Sequence, residues 1–153
     1  MSGDEKIVFY EGKNVEMQPC PINPAWVIDG APVARNFILS RSLDNSATTL
    51  LWDCTKGVFN WHYDIDETVY VLEGSVVVRE DNGVEHHLGP GDHILFRAGS
   101  HAVWTVEKYV RKVAFCRTPL PASVMFLVRV MRKLARMLKL APASDAPAMF
   151  SGA

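Results

Sequence analysis

Cysteine is scarce: Cys20, Cys54 and Cys116 are the three in the chain, and none stands in a CxxC pair. That excludes a redox dithiol, and an odd count in a chain without an export signal points to free thiols in a reducing cytoplasm. The signal is missing because MSGDEKIVFYEG is acidic and lacks a basic n-region followed by a long apolar segment, so a cytoplasmic location is expected. Long uncharged apolar runs are also absent. The most apolar late window, residues 123–140, is interrupted by Arg129, Arg132, Lys133, Arg136 and Lys139, which excludes a membrane-spanning helix there. No GxSxG, Walker loop or dinucleotide glycine fingerprint occurs, and serine hydrolase, P-loop NTPase and Rossmann readings drop out. There is no internal repeat, and no basic stripe interleaved with aromatics that would suit nucleic acid.

What is present suits one globular domain: 153 residues, 48% apolar and 22% charged, enough for a sizeable core. The net charge of −1 is divided unevenly. Residues 1–116 carry ten Lys/Arg against sixteen Asp/Glu, giving −6, and residues 117–153 carry six against one, giving +5.

Short runs rich in Val, Ile, Thr and aromatics, separated by turn residues, predict strands. AWVIDG, VARNFILSRS and ATTLLWDC are divided by Asp29-Gly30 and Asp44-Asn45; residues 58–63 follow, then Thr68 to Arg79 with a kink at Gly74. Asp81-Asn82-Gly83 predicts a type I′ hairpin, and Gly89-Pro90-Gly91-Asp92 turns the chain into Ile94-Leu95-Phe96 before HAVWTV and YVRKVAFC. Roughly eight or more strands without an intervening helix predict an all-β, antiparallel jelly-roll barrel. Before it, residues 1–24 form an arm with a proline cluster and one added edge strand; the barrel takes 25–118. Residues 119–141 hold an amphipathic helix with Ser123 as N-cap, running to about Leu140, and an Ala/Pro/Ser tail fills 142–153.

One stretch organises the rest: GVFNWHYDIDETVYVLEGSVVVREDNGVEHHLGPGDHILFRAGSHAVW, residues 57–104. Glu67, six residues and Gly74 reproduce the second half of G-x5-H-x-H-x3,4-E-x6-G, and Gly91 and Gly99 stand where G-x5-P-x-G-x2-H has glycines. The chain therefore resembles a cupin, and within cupins the ureidoglycine aminohydrolase-like branch. The resemblance implies a jelly-roll barrel, commonly paired as a homodimer, and a divalent transition metal (Fe, Mn, Ni, Co or Zn) on imidazole and carboxylate ligands. Counted with a four-residue gap from Glu67, the motif histidines fall at His62 and Asn60; counted from Gly99, the last falls at Ala102, with His101 one residue early. Metal ligands on this count are His62 and Glu67, with His101 swinging in; on a strand that one-residue offset points His101 to the other face unless a bulge corrects it.

Alternation sets Phe59, Trp61 and Tyr63 on one face of their strand and Asn60 and His62 on the other. The polar pair is expected to look into the barrel. The candidate pocket then holds Asn60, His62 and Glu67 against an apolar wall of Val69, Phe96 and Trp104. Without a metal, Glu67 as base and His62 as acid could move protons on a small substrate. The expected role is binding of a small polar metabolite; the alternative is a metal-dependent enzyme acting on a small carboxylate, amine or sugar derivative. His86, His87 and His93 read as surface residues beside turns, and the basic helix reads either as a cover for barrel or partner, or as a contact with an anionic membrane surface through 123–140.

Overall fold

The structure, a computed structural model, describes residues 7–11, 15–119 and 122–137. It divides into two compact units, Met1–Pro119 and Leu120–Ala153. Among the described residues of the first, nine strands succeed one another: β1 (Gln18–Pro19), β2 (Val27–Gly30), β3 (Ala34–Arg41), β4 (Ala47–His62), β5 (Asp66–Gly74), β6 (Val76–Glu80), β7 (Glu85–Leu88), β8 (His93–Phe96) and β9 (His101–Arg117).

The two longest strands form the spine. β4 and β9 pair antiparallel from Ala47 opposite Arg117 to His62 opposite His101, joining what the sequence presents as four separate strands. One end of this ribbon is flanked by β3 and β1 on one side and by β5 and β8 on the other; the opposite end is flanked by β2 and by β6 with β7. Between the ends the register slips, with two steps from Thr55 to Gly57 set against three from Val106 to Tyr109. Such an extra residue bends a strand pair, so the same two strands leave one sheet and enter the facing one. The slip also changes which residues of β4 look inward, from Trp52 and Cys54 to Phe59 and Trp61. Gly57 sits at the bend because a Cβ there would come within 2.7 Å of the Pro32 ring.

Side chains from both sheets meet between them. Trp52, Val69 and Val110 from one and Phe59, Val78 and Trp104 from the other are 5% exposed or less, and Trp52 contacts Trp104 edge-on at 5.9 Å between ring centres. This is the expected all-β jelly roll. Two local expectations fail. Residues Pro24–Trp26 form a 3-10 turn instead of starting a strand, because Pro24 opens it and the Asn23 side chain accepts from the Ala25 amide at 3.0 Å. The hairpin after β6 is not type I′: of its residues only Gly83 has positive φ (86°), and its amide bonds back to the Glu80 carbonyl at 2.9 Å, which is the three-residue connection ending in a left-handed glycine.

In the second unit, α1 spans Ala122–Met137. It starts one residue before the expected cap at Ser123, and Leu138 to Leu140 lie outside the described residues. Among the described residues no helix is long and apolar enough to cross a membrane.

Candidate functional site

The inner face of β5 carries Glu67, Val69 and Val71, and that of β9 carries Trp104, Val106, Val110, Lys112 and Ala114. Alternation therefore points one carboxylate and one ammonium into an aromatic interior. Lys112 Nζ donates to Glu67 Oε1 at 2.7 Å, and it also lies 4.5 Å from the ring centre of Trp104 and 4.8 Å from that of Trp52. Two indole faces and a carboxylate thus surround one buried cation, which needs such partners once removed from water. Trp104 Nε1 donates to the Tyr63 hydroxyl at 2.9 Å, and the Tyr63 ring stacks on Phe96 at 4.1 Å. Burial raises the Tyr63 phenol well above its usual range, and the Glu67 charge adds to this. Cys116, opposite Glu67 in the ladder, has its thiol pushed up to about 11 by burial and by Glu67, with Lys112 opposing.

At one end the two sheets part. A cleft of about 700 Å³ opens where β7 and β8 meet the start of β9, and the inward residues Leu88, Phe96 and Ala102 line it. Polar groups share the lining. His86 Nε2 lies 2.6 Å from Glu80 Oε1, and His101 Nδ1 lies 2.6 Å from Asp81 Oδ1. Arg97, His93 and Ser100 also line it. Among the described residues no carboxylate pairs with Arg97, and Ser100 Oγ is buried without a hydrogen-bond partner.

The EutQ-like cupin domain family matches residues 41–114. This barrel has the cupin jelly-roll fold. Among solved structures, a protein of unknown function from Pseudomonas syringae pv. tomato str. DC3000 is 25% identical with a TM-score of 0.63, over 68% of this chain and 45% of that one. The EutQ protein of Clostridium difficile is 22% identical with a TM-score of 0.51, over 57% of this chain and 64% of that one. The polyketide cyclase RemF from Streptomyces resistomycificus is 15% identical with a TM-score of 0.57, over 75% and 82%. The chain thus spans less than two thirds of the first two proteins, and the last two likenesses are likenesses of fold. No curated protein matches the sequence.

In this barrel the motif residues do not gather as the four-residue count implies. Phe59, Trp61 and Tyr63 turn inward, and Asn60 and His62 turn outward, with His62 exposed. The motif allows three or four residues before the glutamate, and the inward residues fit the shorter gap, which puts Trp61 and Tyr63 where ligands would stand. Asn60 instead reaches His101, its Oδ1 lying 3.0 Å from His101 Nε2 while its amide donates to the Trp26 carbonyl at 3.4 Å. His62 packs beside both, 4.6 Å from the His101 ring and 5.2 Å from Trp26. His101 does not swing in: no register slip separates it from Ala102, and Asp81 and Asn60 hold its two nitrogens. The pairing of His62 with Glu67 as acid and base is therefore not assembled, and His62, Glu67 and His101 do not converge as ligands. Among the described residues no cluster of three or more His, Cys, Asp or Glu side chains is placed to hold a metal. Glu67, Val69, Phe96 and Trp104 do share the interior, as their parity predicts, and Phe96 alone of these also lines the cleft.

Two features escape the motif count. Lys112 is legible by parity, since Val110-x-Lys112-x-Ala114 places it among small inward residues. The cleft has no local signal, because its walls come from the turn at 80–82, β8 and the loop at 97–101.

Proposed function

We propose that this cupin binds a small carboxylate in the cleft beside β7 and β8. The cleft itself carries the reading: an apolar floor of Leu88, Phe96 and Ala102 beside an Arg97 that no carboxylate pairs with among the described residues, and an unsatisfied Ser100 hydroxyl. An apolar pocket with few convergent polar groups suits a small polar metabolite, and a planar guanidinium suits a carboxylate, which it can hold by two parallel bonds. His93 adds a further donor at the rim.

The test is a thermal-shift and calorimetric screen with small amino and sugar acids on wild type and Arg97→Ala. Binding that weakens about ten- to hundredfold in the variant is expected for a lost charged hydrogen bond. Equal binding by both proteins would remove Arg97 and the cleft from the reading. Product accumulating from a bound compound would turn the binding protein into an enzyme.

The resemblance to ureidoglycine aminohydrolases implies a metal-centred reaction on a small amine or carboxylate. The geometry favours it less, since His62 and His101 lie on the outer face and Glu67 on the inner one with Lys112 against it. Elemental analysis of protein purified without chelator, beside Glu67→Gln, checks this. Near-stoichiometric Fe, Mn, Ni, Co or Zn that falls in the variant would restore the metal reading.

A further inference from the structure

The helix α1, ASVMFLVRVMRKLARM, contains no acidic residue in its sixteen positions. At 100° per residue its apolar Phe126, Leu127, Val130, Met131, Leu134 and Met137 fall within an arc of about 140°, and Arg129, Arg132 and Lys133 fall within about 100° on the other side. The two faces therefore carry different chemistry along one rod about 24 Å long. The apolar side chains are not folded against their own helix: Phe126 is 70% exposed, Met131 61% and Met137 73%. The rod is too short and too charged to cross a membrane.

We infer that α1 binds in the plane of an anionic lipid surface, with the apolar arc in the acyl boundary and Arg129, Arg132 and Lys133 among the headgroups. Charge decides between a lipid and a protein occupant. A protein groove would use only the apolar arc and leave the opposite face free to mix both signs, as solvated surfaces do. Here every charge on that face is positive, in a chain segment where residues 117–153 carry six Lys/Arg and one acid. An anionic headgroup layer uses both faces together, because insertion of the apolar arc brings the cations to the depth of the phosphates. The carboxylate cleft plays no part in this inference, and either stands without the other.

The experiment is co-sedimentation of the full chain with vesicles of phosphatidylcholine alone or of phosphatidylcholine mixed with phosphatidylglycerol. Wild type is expected to pellet with the anionic vesicles at least about tenfold more strongly than with the neutral ones, and to be released by added salt. Two variants separate the faces: Leu127→Glu with Leu134→Glu, and Arg129→Glu with Lys133→Glu. Both should lose vesicle binding while the thermal melt of the barrel stays in place. Wild type that pellets with neither vesicle overturns the inference. So does binding that survives in both variants, or a solution mass that falls when Leu127 and Leu134 are replaced, which would give the apolar arc to another copy of the chain.

Discussion

Lys112 and Glu67 make a 2.7 Å ion pair across the inside of the barrel, with side chains only 5% and 11% exposed. Neither charge can turn to bulk water if its partner is removed. Lys112→Met alone, or Glu67→Gln alone, should therefore cost about 3–5 kcal/mol of unfolding free energy, as breaking a buried pair does. Glu67→Leu combined with Lys112→Met should recover most of that loss, because two apolar groups leave no orphan charge. Urea unfolding of the three proteins measures it. Additive losses would show that the two side chains act separately.

The bend after β5 gives a second expectation. Gly74 has φ of 73°, and a Cβ built on it would run into the carbonyl of Tyr109 on β9. Gly74→Ala combines left-handed strain with a backbone clash, and about 3 kcal/mol or more of destabilisation should follow. A midpoint unchanged in urea would mean that the ladder shifts to make room.

The turn between β3 and β4 is sensitive to acid. Asp44 accepts from the Ser42 hydroxyl at 2.6 Å and from the amide and hydroxyl of Ser46 at 3.1 and 2.9 Å. Those bonds, the Ser42 hydroxyl first, lower its carboxyl to about 2. A depressed carboxyl favours the fold above its unfolded value near 4, and that contribution disappears as pH falls towards 2. Titration of Asp44 by NMR should show the low midpoint, and Ser42→Ala should move it upward. A midpoint near 4 in wild type would contradict the bonding.

Thiols respond at the other end of the pH scale. Burial first, then the Asp53 charge, pushes Cys54 up to about 12, and Cys116 rises to about 11. Both stay protonated in the folded barrel where unfolded thiols have begun to ionise, so stability should decline as pH rises from about 9 towards 12. Alkylation of the native protein at pH 8 should be slow at both positions, read by mass spectrometry of peptides, and should become fast in urea.

Much of this architecture is visible in the primary structure. Alternation and turn residues mark nearly every strand, and the parity of Glu67, Val69, Phe96 and Trp104 places them together as found. The location of Asn60 and His62 is not decidable that way. A motif that tolerates three or four residues before Glu67 admits two alignments, and a shift of one residue exchanges the faces of a strand. Only the packing of Phe59 and Trp61 against Trp52 selects between them, and that contact depends on the register slip opposite Thr55. Lys112 escapes for another reason: lysine is so rarely buried that its inward parity is outweighed until Glu67, forty-five residues earlier, comes within reach.

The ribbon of β4 and β9 also sets an order in time. Ala47 meets Arg117, and Trp52 meets Lys112, so the first residues of β4 have their partners about seventy positions downstream. During synthesis, the ribosome releases β4 long before the strand that covers it exists, and β3 is all that pairs with its first half in the interval. Trp52 and Leu51 stay open to solvent until then. A nascent chain stalled before residue 117 would present an uncovered apolar sheet face to chaperones, and one stalled well beyond it would not.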